Sequence, residues 1–262
     1  MAEHTSGRDH SRAAGRPVLA ARKVSKRYGH VQALVDADIE LFAGEVVALV
    51  GDNGAGKSTL TKVLCGAIAP DAGEVQVDGQ TVRFASPRAA KQHGVAVVYQ
   101  DLALVDSRDV AHNVFLGDVP VRGLTVDRRR MYREARAALD ALRIDIPSLH
   151  TPVGALSGGQ RQAIAIARAV REGGRVVIMD EPTAALGVQE QRKVLRLIQD
   201  LSTAGKAVLV ISHNLEHVFG VADRIVVMRS GRVAGTRRKA DTTPEEIVRL
   251  IVGAAELQPA EG

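Results

Sequence analysis

The fold of this 262-residue chain is decided by one stretch, Val46-Val47-Ala48-Leu49-Val50-Gly51-Asp52-Asn53-Gly54-Ala55-Gly56-Lys57-Ser58-Thr59. An apolar run is followed by turn residues and then by Lys-Ser-Thr, which matches the phosphate-loop pattern G-x-x-x-x-G-K-[ST]. Gly54 and Gly56 lack a Cβ, so the backbone can turn tightly and bring consecutive N–H groups against a phosphate. The stretch therefore predicts a strand, an anion-binding loop and a helix, in that order.

Lys57 and Ser58 are suited to bind a nucleotide and its metal ion. Lys57 can reach the β- and γ-phosphates, and the Ser58 hydroxyl can bind Mg²⁺. The helix that begins near Lys57 points the positive end of its dipole at the same anion. The residues expected to contact the nucleotide here are Gly51, Asn53, Gly54, Ala55, Gly56, Lys57, Ser58 and Thr59.

The composition is that of a globular protein without membrane-spanning segments or disulfides. Hydrophobic residues make up 45% and charged residues 25%, as in ordinary globular domains. The longest apolar runs are far shorter than the roughly 18 residues that span a bilayer, and no secretory signal is present, so we expect a cytoplasmic location. The only cysteine, Cys65, excludes an internal disulfide and is expected to pack in the core.

The net charge of +5 is compatible with nucleic acid, an anionic membrane surface or no specific partner. Aromatic residues are only 3% of the chain, and tryptophan is absent, which disfavours a protein that stacks single-stranded bases. The densest basic run, Arg128-Arg129-Arg130, lies on a predicted helix. It can be a solvated face or a contact with anionic lipid.

The pattern of apolar residues divides the chain into three parts. We expect a disordered tail over 1–17, an α/β domain over 18–253 and a frayed tail over 254–262. Short strands bounded by turn residues are predicted at Val18–Val24, Asp38–Phe42, Glu74–Val77 and Thr81–Phe84, with a hairpin turn at Asp78-Gly79. Buried strands of a parallel sheet are predicted at Val46–Val50, Val95–Tyr99, Val176–Met179, Ala207–Ile211 and Ile225–Met228. A mostly helical insert occupies about 101–173.

Two acids end the predicted strand at Val176–Met179. Asp180 follows the apolar run directly, as in the second motif of phosphate-loop NTPases, and would hold Mg²⁺ directly or through water. Glu181 comes one residue later at the carboxyl end of the same strand, where it could act as a general base on the attacking water.

The pentapeptide Leu156-Ser157-Gly158-Gly159-Gln160 predicts a second anion site. A capping serine and two glycines begin a helix here, and a helix N-terminus binds anions through its free N–H groups. We expect Ser157, Gly158, Gly159 and Gln160 to grip a γ-phosphate from the side opposite Lys57.

Together these motifs resemble the ATPase subunits of ATP-binding cassette (ABC) transporters, from about residue 18 to 253. The resemblance implies a RecA-like core with an antiparallel β-subdomain and an inserted helical subdomain. It places Gln100 at the glutamine that contacts Mg²⁺ and water where the helical subdomain joins. His213 matches the histidine that touches the γ-phosphate and orients Glu181, and Tyr28 matches the aromatic that stacks on adenine.

Three further stretches resemble the sugar-import ATPases of the ribose, xylose and fructose class. They are Tyr99–Val105, Pro182–Val188 and His213–Phe219. Many proteins of that class carry two cassettes, whereas this chain has one, as in the fructose-type subunits. Gly187 follows Leu186 where the wider family usually has an aspartate, which puts a role for a carboxylate at that position in doubt.

The resemblance implies an ATPase that uses ATP and Mg²⁺ to drive a membrane permease importing a monosaccharide such as fructose, ribose or xylose. Two chains would pair head to tail, with each site built from Lys57 of one chain and Ser157 of the other. Permease subunits would dock near residues 101–116, at the cytoplasmic face of the membrane. A sugar-binding protein would act indirectly, and no nucleic acid is expected. The chain itself does not identify the sugar.

Two alternatives remain from the sequence. An ABC-type ATPase acting on nucleic acid or the ribosome is slightly favoured by the basic charge, but such proteins usually need two cassettes or a coiled-coil arm. A phosphate-loop kinase or GTPase would share the first motif, and the pentapeptide argues against it.

Overall fold

The structure is a computed structural model that describes residues 15–171 and 173–253. Residues 15–17 have no regular structure. The rest of the predicted N-terminal tail and the whole of the predicted C-terminal tail lie outside the described residues.

The centre of the described fold is a six-stranded sheet. Its strands, in chain order, are β3 (Val46–Val50), β6 (Val95–Val98), β9 (Val176–Asp180), β10 (Ala207–Ile211), β11 (Arg224–Arg229) and β12 (Arg232–Arg238). The spatial order is β12-β11-β3-β10-β9-β6. All neighbours are parallel except the final hairpin of β11 and β12. The phosphate-loop strand β3 lies within this sheet and is buried along its whole length, so the predicted parallel core is confirmed.

An antiparallel sheet covers one face of this core. Its strands are β1 (Leu19–Tyr28), β2 (Val31–Leu41), β4 (Ala72–Val77) and β5 (Gln80–Val82), in the order β2-β1-β4-β5. The turn at Asp78-Gly79 joins β4 to β5 with positive φ at both residues, as predicted. The β1–β2 hairpin is longer than expected because its outer half is largely exposed and lacks the apolar alternation that marks a strand.

The helices pack on both sides of the central sheet. They are α1 (Lys57–Leu64), α2 (Pro87–Gln92), α3 (Val110–Val114), α4 (Arg128–Ala141), α5 (Gly158–Arg171), α6 (Val188–Thr203), α7 (Leu215–Val221) and α8 (Pro244–Val252). Strand β9 shows that both faces of the central sheet are buried. Val176 and Ile178 join the core beneath the antiparallel sheet, whereas Val177 and Met179 join the core formed with α3 to α6. Both faces are apolar because both are covered.

The predicted helical insert contains α3, α4 and α5, together with a small hairpin that the sequence analysis missed. The hairpin strands are β7 (Val121–Arg122) and β8 (Thr125–Val126). Both strands are two residues long and exposed, so no buried face imposes a readable alternation. Cys65 is buried directly after α1, as expected, and Arg128-Arg129-Arg130 is exposed at the start of α4. Within the described residues, the helices are too short or too polar to cross a membrane.

Candidate functional site

A cleft of about 560 Å³ lies where the loops after β3, β6, β9 and β10 meet the end of the β1–β2 hairpin. It brings together most of the residues that the sequence predicted for nucleotide binding and chemistry. Its lining includes Tyr28, Asn53, Gly54, Ala55, Gly56, Lys57, Ser58, Thr59, Gln100, Asp180, Glu181 and His213. Because the carboxyl ends of parallel strands share one edge of a sheet, motifs far apart in the chain converge here.

The shape of the phosphate loop depends on its last glycine and on Lys57. Gly56 has a φ of 102°, and a Cβ on it would lie 2.7 Å from the Ala33 carbonyl oxygen, so a larger residue does not fit. The Lys57 ammonium donates to the carbonyl oxygens of Gly51 at 2.7 Å and Asp52 at 2.9 Å. The loop therefore curls around the lysine, whose Nζ is held next to the backbone N–H groups expected to bind phosphate.

Partial burial makes the charged forms of Asp180 and Lys57 less stable at the base of the cleft. Desolvation raises the pKa of Asp180, and repulsion from neighbouring Glu181 adds to the rise, while Lys57 opposes it. Desolvation lowers the pKa of Lys57 against the attraction of Glu181, Asp52 and Asp180. Two adjacent carboxylates beside a half-buried ammonium form an arrangement that a divalent cation and an anionic ligand together would relieve.

Glu181 is held in a fixed orientation by the end of β10. Its φ of 48° is unusual for a residue with a side chain, and its N–H donates to the Ile211 carbonyl at 2.9 Å. One carboxylate oxygen, Oε1, accepts from the His213 backbone N–H at 3.1 Å and lies 2.7 Å from His213 Nδ1. Ser212 Oγ lies 3.4 Å from Oε2. The side chain of Glu181 is mostly buried, and His213 is exposed to the cleft. This is the geometry expected of a base and its orienting histidine.

The hairpin contributes residues that the sequence analysis missed. Val31, Gln32 and Ala33 line the cleft beside Tyr28, because β2 begins only three residues after Tyr28 and folds back along it. Val31 is 66% exposed, which is costly for an isolated apolar side chain and suits a surface that meets a flat ring. The sequence feature that could have identified Val31 is its position, as an apolar residue directly after the Gly29-His30 turn.

Three oxygen-bearing side chains in the cleft suit a hard cation. Ser58 supplies a hydroxyl, Gln100 an amide oxygen and Asp180 a carboxylate, which is the ligand chemistry that Mg²⁺ prefers. The described residues contain no cluster of three or more acidic, histidine or cysteine side chains suited to a metal. A Mg²⁺ site here therefore depends on the mixed oxygen set and on ligand phosphates.

The predicted second anion site is not part of this cleft in the described chain. Ser157, Gly158, Gly159 and Gln160 begin α5, and none of them lines the cleft. Ser157 caps the helix as expected, since its Oγ accepts from the Gln160 N–H at 3.4 Å and Gln160 Oε1 accepts from the Ser157 N–H at 3.1 Å. The phosphate loop and the predicted second anion site thus do not meet in one cleft within the described residues.

Comparison with known families agrees with this geometry. The family model described as ABC transporter matches residues 34–184, which is more than half of the chain. The fructose import ATP-binding protein of Rhizobium meliloti is 46% identical over 92% of this chain and 95% of its own length. The xylose/arabinose import ATP-binding protein of Sulfolobus acidocaldarius is 43% identical over 91% of this chain and 95% of its own length.

Other relatives differ in length or sequence but keep the fold. The ribose import ATP-binding protein of Rhodopirellula baltica is 44% identical over 90% of this chain, which covers 46% of that protein. The structure of a nucleotide-free ATP-binding cassette from an ABC transporter aligns with a TM-score of 0.78, at 24% identity, over 91% of this chain and 96% of that one. A bacterial ABC transporter cassette solved as a dimer aligns with a TM-score of 0.70, at 25% identity, over 84% of this chain and 98% of that one.

These matches exclude the kinase or GTPase alternative, and they give no support to an ATPase that acts on nucleic acid. The assembled cleft and the matches to whole single-cassette proteins lead to the same assignment. This chain belongs to the ATP-binding proteins of ABC transporters, in the branch whose members are named for sugar import.

Proposed function

We propose that this chain hydrolyses ATP with Mg²⁺ to drive a permease that imports a monosaccharide such as fructose, xylose or ribose. The observation that carries the proposal is the single cleft in which the phosphate loop, Asp180, Glu181 and His213 meet. The relatives named for fructose, xylose/arabinose and ribose import support the class of cargo. The ATPase would lie at the cytoplasmic face of the membrane, held there by the permease.

The residues of the cleft have separate tasks in this reaction. Lys57 and the loop N–H groups bind the phosphates and stabilise the charge that develops on them. Ser58, Gln100 and Asp180 would hold Mg²⁺, which supplies further charge neutralisation when bound. Glu181, oriented by His213, takes a proton from the attacking water. Tyr28 stacks on the adenine ring, with Val31 beside it.

The separation of the two phosphate-binding motifs supports a site shared by two chains. Lys57 lines the cleft, while Ser157 begins a helix on another surface of the same chain. In a head-to-tail pair, Ser157 and the dipole of α5 from one chain would close over the phosphate held by Lys57 of the other. This charge stabilisation would take the place of an arginine finger.

A groove beside the helical region supports the proposed docking of a permease. A cavity of about 610 Å³ lies between α2, β6 and the C-terminal end of α5, and its lining includes Arg88, Tyr99, Gly117 and Asp118. It adjoins the segment 101–116 that follows Gln100. Leu102 and Leu104 in this segment are only partly exposed and pack against the helical core, whereas Val105 and Leu116 are exposed. The exposed pair is therefore the part available to a permease helix.

The shared site can be tested with two variants, one that changes the phosphate loop and one that changes the N-terminus of α5. Lys57→Ala removes the ammonium group that binds the phosphates, and Ser157→Arg places a bulky side chain at the N-terminus of α5. Each variant alone should have two defective sites and little ATPase activity. In a mixed dimer, one site keeps Lys57 from the Ser157→Arg chain and Ser157 from the Lys57→Ala chain. The mixture should therefore exceed the summed activity of the separate proteins.

The control is Ser157→Arg alone, measured over a range of protein concentrations. Wild-type turnover that does not depend on protein concentration in this variant would show that the site is complete in one chain. The two-chain mechanism would then be wrong, whereas the assignment of the cleft residues would stand.

A further inference from the structure

A carboxylate of the same chain lies beside the N-terminus of α5. Glu190, in the first turn of α6, reaches both its own helix start and the start of α5. Glu190 Oε2 accepts from the Gly187 N–H at 3.3 Å. Interactions with the Ser157 hydroxyl, the Gly159 N–H and the Gly187 N–H lower the pKa of Glu190, in that order of size. The carboxylate is therefore charged at neutral pH and lies beside the starts of both helices.

The backbone is built around this contact. A Cβ on Gly159 would lie 2.9 Å from the Glu190 Cβ, and a Cβ on Gly158 would lie 2.7 Å from Leu186 Cδ2 and 3.7 Å from Glu190 Oε2. The two glycines of the pentapeptide thus allow α6 to approach α5 closely within one chain. Their small size has a structural purpose here besides any approach of a phosphate.

The same contact places a charge beside Gly187, which itself has no side chain. Glu190 lies three residues later and supplies a carboxylate whose Oε2 lies next to Gly187, 3.9 Å from where a Cβ would be. A negative charge is therefore present at this corner of the fold, but it faces the start of α5.

We propose that Glu190 is a positioning residue that occupies the second anion site until a phosphate from the partner chain displaces it. The inference rests on the proposed function, in which Ser157 and Gly159 grip that phosphate. A carboxylate beside these two donors repels a phosphate bound a few ångströms away. Glu190 therefore opposes the entry of that phosphate and sets the threshold at which two chains close around ATP.

The expected consequence is a change in how easily the ATP-dependent dimer forms. Glu190→Gln keeps the shape and a hydrogen-bond acceptor for Gly187 but removes the competing charge. The protein concentration that gives half-maximal ATPase activity per chain, at saturating ATP and Mg²⁺, should fall by about fivefold or more, which is the lower end of typical coupling between sites. A residue that merely stabilised the fold would raise this concentration or leave it unchanged.

Two further variants complete the experiment. Glu245→Gln is the matched control, because Glu245 also lies in the first turn of a helix with a lowered pKa but bonds only its own cap. It should leave the half-maximal concentration unchanged. Glu190→Asp keeps the charge on α6 with a side chain one methylene shorter, so it should shift the concentration in the same direction as the glutamine variant, and it replaces that variant if the latter does not fold.

The outcomes separate this inference from the proposed function. Parental activity that varies with protein concentration, combined with an unchanged or higher half-maximal concentration in the folded Glu190 variant, overturns the inference alone. A similar decrease in Glu245→Gln also overturns it, since any lost charge would then suffice. Parental activity that is independent of protein concentration overturns both the shared site and the inference.

Discussion

The phosphate-loop cleft and the N-terminus of α5 both offer hydrogen-bond donors to an anion, but their own carboxylates are in opposite situations. In the cleft, burial and the neighbouring Glu181 raise the pKa of Asp180. At α5, three hydrogen bonds lower the pKa of Glu190. The first region holds its charges at a cost that ligands can relieve, whereas the second is satisfied within the chain. The pKa of the carboxylate is therefore raised in the cleft, where a ligand would stabilise the charge, and lowered at the start of α5, where we propose that a ligand displaces the carboxylate.

The largest expected effect tests whether the cleft performs the chemistry. Glu181→Gln should keep nucleotide binding but lower the ATPase rate by about 10²–10⁴-fold, which is the usual contribution of a general base. The glutamine retains the shape and can still accept from the His213 N–H, so binding geometry should survive. Steady-state turnover and nucleotide affinity would be measured beside Glu216→Gln, which changes an exposed acid in the first turn of α7. Turnover within a few-fold of the parent would remove Glu181 from the mechanism.

A smaller effect is expected between the two regions, in the segment that joins Gln100 to the helices carrying Ser157. Val105→Asp and Leu116→Asp place a charge on exposed apolar side chains that we assign to permease docking. Affinity for the permease should fall by about tenfold or more, as for a central interface residue. Copurification with the permease subunits measures it, and Val121→Asp, exposed on the β7–β8 hairpin, is the matched control. Parental affinity in both docking variants would exclude this surface.

The smallest effects are expected in thermal unfolding, which tests the contrast between the raised pKa of Asp180 and the lowered pKa of Glu190. Asp180 has a raised pKa, so its ionisation disfavours the folded state, and stability is lost as the pH rises through that pKa. Asp180→Asn should therefore raise Tm at pH 7 in the absence of Mg²⁺ and nucleotide, and this gain should disappear as the pH falls below the ordinary pKa of an aspartate. Glu190 has a lowered pKa and stabilises the fold above the pKa of the unfolded chain, with that stability lost as the pH falls through the folded value.

Glu190→Gln should accordingly lower Tm at pH 7, opposite in sign to Asp180→Asn. Shifts of a few degrees are expected, because neither group is fully buried. Equal signs for the two variants would contradict the contrast between a strained cleft and a satisfied helix start.

Much of the fold follows from local pattern. The strands at Val46–Val50 and Ala207–Ile211 begin and end where the sequence analysis placed them. Both are marked by a strong local feature, a fully apolar run bounded by polar or turn residues. The exposed half of the β1–β2 hairpin and the β7–β8 hairpin were missed because solvent-facing strands carry no hydrophobic period.

The sequence by itself predicted the chemistry of two places: the phosphate loop and the paired acids of the cleft, and the capping serine at the start of α5, are each local arrangements whose residue types indicate a role. The family resemblance added Tyr28, Gln100 and His213, which no local pattern identifies. Only the tertiary structure decided which of these groups share a site, because the parallel sheet brings strand ends together across long stretches of chain. It also placed Glu190 on Ser157 and Gly159, a contact between two helix starts 30 residues apart, which depends on how α5 and α6 pack and leaves no trace in either segment alone.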